Sequence, residues 1–245
     1  MPDWPILIAI IATFLLAGAV KGVIGLGLPT VSLGLMTAVL GLPQAMALML
    51  IPSFVTNVWQ AFAGPHFLAN MVRLWPFFLA ATATVWLGGM VLVRVDSHIL
   101  SALLGLLIAT YGLINLAGAR FSLGSHGWLG AGFGIVNGVL TGMTGSFAVP
   151  GVMYLQALGL SRDALIQAMG TLFMLSTLAL GLSLQGQGLI TGNLGILSAA
   201  GLIPAIIGMA LGSRLRRRLS EQQFRRVFFA SLVLLGAYIV VRALV

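Results

Sequence analysis

The sequence predicts an all-α polytopic membrane protein of two inverted repeats, each a broken or re-entrant helix pair followed by three transmembrane helices. Three observations carry that expectation. Of 245 residues, 60% are hydrophobic and only 7% charged, with a mean hydropathy of +1.11, whereas soluble domains average about a quarter charged. Apolar runs long enough to span a bilayer recur along the whole chain. The chain also repeats itself at a spacing of 116 to 118 residues. Gly18-Ala-Val-Lys21-Gly22-Val-Ile is echoed by Gly134-Ile-Val-Asn137-Gly138-Val-Leu, and Gly41-Leu42-Pro-Gln-Ala by Gly159-Leu160-Ser-Arg-Asp-Ala.

A spanning helix needs about twenty apolar residues, and six such segments are expected at roughly 44–64, 74–94, 98–118, 163–185, 190–212 and 222–244. Two further stretches, 5–42 and 127–160, are too long for one crossing and are interrupted by glycine. Each is either a re-entrant pair of half-helices or two short spans, and both choices return the chain to its starting side. Residues 1–120 then form the first repeat and 121–245 the second, within one integral membrane domain. Each repeat crosses an odd number of times, so the repeats are expected to be inverted, a common transporter plan.

Charge supports this topology. With the arginines of 214–226 in the cytoplasm, Arg73, Arg120 and Arg162 join Arg214, Arg216, Arg217, Arg218, Arg225 and Arg226 there, leaving Arg94 and Arg242 outside. Reading each broken stretch as a single span weakens that positive-inside bias. Both termini are then expected in the periplasm, and Trp4, Trp59, Trp75 and Trp128 at segment ends as an interfacial belt.

Composition excludes several functions. Without cysteine, no disulfide, iron–sulfur or thiolate chemistry is available. Three histidines and four acids are too scattered to predict a metal site, and no cofactor motif occurs. Nucleic acid is not an expected partner, because the basic residues sit at segment ends, where they set topology. The Met-Pro-Asp-Trp start lacks the basic region of a signal peptide.

The two breaks are the candidate site. Lys21 is the one charged residue between Trp4 and Val72, and a charge deep in a bilayer costs several kcal/mol and marks function. Gly22, Gly25 and Gly27 follow it and lead into Pro29-Thr30; the second break offers Asn137, Gly138, Thr141, Thr144, Gly145 and Ser146 before Pro150. Glycine lets the backbone leave helical geometry and approach a ligand, proline suits a helix's first turn, and Thr144 or Ser146 suits a cap for the second half-helix. If both returning helices start at midplane, their N–H groups and positive dipole ends converge. Lys21 adds a full charge facing Asn137, which makes a pocket for a small oxyanion. Against this stands plain helix packing: Gly134, Gly138 and Gly142 fit small-xxx-small spacing, and packing also accounts for Gly88-Gly89 and Gly208 to Gly212, which correspond across the repeat. Asn57, Gln44 and Gln156 are expected along a route to the site, with Gln60 and Gln167 as further polar positions. Asp163 reads as a helix-start residue, Arg94 and Asp96 as a solvated pair, and His66, His98 and His126 as interfacial residues without a role.

The motif Val20-Lys21-Gly22-Val-Ile-Gly-Leu-Gly, its echo Val136-Asn137-Gly138-Val-Leu-Thr-Gly-Met-Thr-Gly-Ser-Phe and the two-times-four segment plan resemble the TauE/SafE family over nearly the whole chain. Many members carry a denser glycine run at the breaks than this chain does. The resemblance implies an exporter in a bacterial inner membrane, and as substrate sulfite, a sulfonate such as sulfoacetate, or a related anion. A passive anion channel, an importer of the same anions, a non-transporting scaffold and, least of all, a membrane enzyme are the alternatives. No buried carboxylate is expected to relay protons. The coupling ion and oligomeric state stay open, a homodimer among the forms allowed.

Overall fold

In the computed structural model, residues 4–119, 122–123, 127–216, 218 and 220–245 are described, Glu221 by its backbone alone. The expectations for the Met1-Pro2-Asp3 start, Arg120, His126 and Arg217 lie outside the described residues. Helix α1 (Trp4–Ile24) is followed by α2 (Leu28–Leu40), α3 (Leu42–Phe62), α4 (Phe67–Ala83), α5 (Val85–Leu92) and α6 (Ser97–Leu116). The second half contains α7 (Gly127–Thr144), a π-helical turn (Ala148–Val152) running into α8 (Met153–Ala157), then α9 (Arg162–Gly186), α10 (Gly192–Leu215) and α11 (Glu221–Leu244). Seven of the described helical segments are long and apolar enough to cross a bilayer, with α4 and α5 forming one of them, Phe67–Leu92.

Local chemistry sets the boundaries. Gly25 (φ 78°) and Gly27 (φ 109°) turn the chain out of α1 in the left-handed region that favours glycine, and Pro29 lies in the first turn of α2. Side-chain oxygens cap four later helices: Asp96 accepts from His98 N–H at 2.8 Å, Ser161 from Ala164 at 3.3 Å, Thr191 from Leu194 at 3.3 Å and Ser220 from Gln223 at 3.4 Å. Asp96 therefore begins α6 by capping its first turn. Asp163 lies in the first turn of α9, where an acid complements the helix dipole.

Two expectations shift. The two helices of the first broken stretch are unequal: α1 runs 21 residues, about 31 Å of rise, and α2 only 13. Helix α4 starts at Phe67 rather than 74. Its first turn is tied down by Asn70, whose Nδ2 donates to the Ala164 carbonyl at 2.9 Å. That start puts Arg73 and Trp75 about two turns inside the helix, both solvent- or lipid-facing, with the long Arg73 stem able to carry its charge to the interface. Trp4, Trp59 and Trp128 do sit exposed at helix ends.

Helix α1 packs along α10, α7 along α4–α5, α6 along α11 and α3 against α9. Matched elements of the two halves thus meet matched partners. Helices α3 and α9 are the most enclosed spans, 61% buried each against 28% for α10 and α11, so the polar groups they carry face protein. Small residues let the outer pairs close. A Cβ at Gly208 or Gly212 would strike the α1 backbone at Leu15 or Ala19, and one at Gly138 or Gly142 the backbone of Ala81 or Val85. Proline within α3 is handled across helices. Pro52 has no N–H for the Leu48 carbonyl, and Ser198 of α10 supplies a hydroxyl instead, its Oγ donating to Leu48 at 2.8 Å and accepting from Ile51 N–H at 3.1 Å.

Candidate functional site

Lys21 lies in the last turn of α1 and is 4% exposed. Its carbonyl accepts from Gly25 N–H at 2.8 Å, closing the helix just before the break. The ammonium crosses to α3, donating to Thr56 Oγ1 at 3.1 Å and to Asn57 Oδ1. Thr56 is held in place by its own hydroxyl, which donates to the Pro52 carbonyl at 2.7 Å. Because Asn57 spends its oxygen on Lys21, its Nδ2 donor is left buried with no partner.

The second break is knitted by hydroxyls. Thr141 donates to the Ser146 carbonyl at 2.9 Å, and Thr144 donates to Leu140 O at 2.7 Å while accepting from Ser146 N–H at 3.2 Å. Gly145 takes φ 72° between them. Neither Thr144 nor Ser146 caps the returning helix, which corrects that expectation; they shape the loop that precedes it. Val149 is extended, so helical geometry resumes at Pro150. Helix starts leave N–H groups without intrahelical partners, and Asn137 takes one of them. Its Oδ1 accepts from Gly151 N–H at 2.9 Å, which leaves Asn137 Nδ2 as a second buried donor without a partner.

Lys21 and Asn137 occupy equivalent places in the repeat but bond to different groups, Lys21 to Thr56 and Asn57 and Asn137 to the start of the second half-helix. The reason is reach: a lysine stem extends to a neighbouring helix, whereas an asparagine serves the backbone beside it. Their heights nonetheless agree. Gly170 of α9 lies against Gln60–Ala61 of α3, and Gly181 against Leu50; this antiparallel register brings Asn57 level with Phe173–Met174. Asn137 and Leu172 both border Gly151. Both asparagines therefore sit near the middle of α9.

The remaining candidates divide. Gly25, Gly27 and Gly145 serve the breaks through positive φ. Gly22 and Gly138 are packing positions instead, set against Met209–Ser213 and against Ala81–Thr84. Thr30 is half-buried in the first turn of α2. Gln60 and Gln167 bind backbone between α3 and α9: Gln60 Nε2 donates to Ile166 O at 2.8 Å, and Gln167 bridges Ala61 O, Gly64 O and His66 N–H. Gln44 and Gln156 line two separate open clefts. Four hydroxyls near this height were not singled out from the sequence: Thr56, and the buried, unpartnered Ser53, Ser176 and Thr177. Their signal was faint, since Ser and Thr are ordinary in membrane helices where they bond to their own backbone.

The assembled chemistry is one-sided. It offers an ammonium and two amide donors, and the buried polar residues among those described include no Asp or Glu. Such a set favours an anion.

Comparison with curated proteins and with solved structures returned no match. A family profile described as sulfite exporter TauE/SafE matches residues 10–239. With seven described helices long and apolar enough to cross a bilayer and that match over nearly its full length, the chain is an integral membrane protein and belongs to the TauE/SafE sulfite exporter family, a family of membrane permeases.

Proposed function

We propose that the protein exports a small sulfur-containing oxyanion, sulfite or an organosulfonate such as sulfoacetate, by alternating access around the two breaks. The carrying observation is the buried Lys21 ammonium, whose partners Thr56 and Asn57 are neutral. A charge at depth is costly unless compensated, and an anionic substrate supplies that compensation during each cycle. Asn57 Nδ2 and Asn137 Nδ2 add donors with no competing partner. The reading places the chain in a bacterial inner membrane with inverted repeats and both termini periplasmic. Outward flux then needs no acid relay, because an anion leaving a negative interior gains about 2.3 kcal/mol per charge per 100 mV.

The test is flux into or out of proteoliposomes for wild type and Lys21→Ala over sulfite, sulfoacetate, sulfate and chloride. Wild type should carry the sulfur anions with counterflow stimulation, which a passive channel lacks, and Lys21→Ala should lose them while staying folded. A folded Lys21→Ala protein that transports every anion as well as wild type sinks the assignment.

A further inference from the structure

Two open clefts stand apart from the Lys21 region, and their construction matches. One, of about 700 Å³, is lined by Asn115, Ser122, Gln156 and Arg225. The other, of about 460 Å³, is lined by Thr37, Gln44, His98, Ser101 and Arg242. Each lies where the outer end of a half-helix, α8 or α2, meets one end of the α6–α11 pair. Arg225 is in the second turn of α11 and Arg242 in its last, about 25 Å apart along the helix. The clefts therefore open at opposite ends of the molecule.

The Arg242 cleft has a buried hydroxyl with no hydrogen-bond partner, Thr37 Oγ1, in a residue 7% exposed. Behind the other cleft, the buried Tyr111 side chain meets Gln156 and lies within reach of the Arg225 charge. Arg225 lies 5.5 Å over the Phe229 ring, which in turn meets Tyr111 edge-on at 5.6 Å. A guanidinium held over a ring keeps its in-plane N–H donors for a ligand. Both arginines stand near the C-terminal end of a half-helix, where the dipole is negative and would repel an anion without them. Arg242 has a further oddity: it is a cation on the side that the positive-inside rule leaves poor in arginine.

We infer that the two clefts are outer capture sites for the transported oxyanion, one per membrane face, with Arg225 and Arg242 as their anion-binding residues. This rests on the export reading above. A sulfonate fits the chemistry, since two of its oxygens match the guanidinium fork and the third is left for an amide or hydroxyl donor. The half-helices then lead from each mouth to a break, along about 20 Å of α2 on one side.

The chain has no cysteine, so single reporters can be introduced. Gln156→Cys and Gln44→Cys are made separately, each with its arginine intact, in phosphatidylcholine vesicles of one orientation, and labelled with a membrane-impermeant maleimide. Each reporter should label from one face only, opposite for the two, and sulfoacetate should slow both reactions. Adding Arg225→Gln should raise the half-protecting sulfoacetate concentration at Gln156→Cys about tenfold, the loss of one charge-assisted hydrogen bond, with no change at Gln44→Cys under the same substitution. Arg242→Gln should do the converse. Arg225→Lys, which keeps the charge, should recover part of the protection and guards against a folding defect. Labelling that sulfoacetate does not slow, or protection indifferent to the arginines, overturns the inference. Wild-type flux with unprotected clefts would remove the capture sites and leave export standing. Protection without flux would do the reverse.

Discussion

At the scale of single residues, the candidate site is an argument about which donors are spoken for. Lys21 and Asn137 share a repeat position, yet one gives its charge to α3 and the other gives its oxygen to Gly151. Both asparagines end with a buried, unpartnered Nδ2. Under the proposed function, Asn57→Leu is expected to cut sulfite flux at least tenfold, since it removes the proposed ligand donor and strips Lys21 of an acceptor; initial rates in proteoliposomes normalised to folded protein check this. Asn137→Ala should hurt twice, slowing flux and lowering thermal stability, because Gly151 N–H is left buried and unsatisfied at a cost of about 1–3 kcal/mol. A thermal melt in detergent separates the two effects: Asn137→Ala loses stability and flux, whereas Lys21→Ala, which offsets the stranded Thr56 and Asn57 oxygens by removing a buried charge, loses mainly flux.

At the scale of elements, helix contacts rest on small residues and on repaired backbone. Gly212 leaves no room for a Cβ against Ala19, so Gly212→Leu should prise α10 from α1 and destabilise by about 1–3 kcal/mol or more, read as a lower melting temperature and reduced folded yield. Ser198→Ala removes the donor that serves the Leu48 carbonyl opposite Pro52 and should cost about 1–3 kcal/mol by the same measure. Most elements were legible in the sequence: hydropathy placed α3, α6, α9, α10 and α11 within two or three residues of their observed bounds. The misplaced start of α4 has a physical cause. Phe67 to Val72 is apolar but short, and Arg73 ends any hydropathy window, whereas the hydrogen bond from Asn70 to Ala164 that holds this turn helical is made to a helix nearly a hundred residues away. The end of α1 was legible only as a glycine-rich break for a related reason, since it is the φ angles at Gly25 and Gly27 that end the helix while Gly22 stays helical against α10.

At the scale of the whole molecule, the two halves pair equivalent helices with equivalent partners, and their half-helices end at clefts on opposite ends of α11. If the repeats are inverted, a cysteine at Arg94 should label from the periplasmic face and one at Arg214 from the cytoplasmic face, in the otherwise cysteine-free chain. Both labelling from one side would rule the topology out. The enclosed position of α3 and α9 is what brings Asn57, Ser53, Ser176 and Thr177 into the centre.

The sequence by itself determined the class of protein, most of the long apolar helices, the repeat, the family and the presence of a cation within an apolar run, because hydropathy, repeat spacing and charge are properties of the chain read in order. Tertiary structure alone decided which neutral groups surround that cation. Asn57 and Thr56 lie thirty-five or so residues from Lys21 and carry no periodic signal; only the packing of α3 against α9, α10 and α2 sets them within reach of the Lys21 stem. It also decided which glycines bend and which merely pack, since that depends on φ and on the neighbouring backbone rather than on the residue's identity.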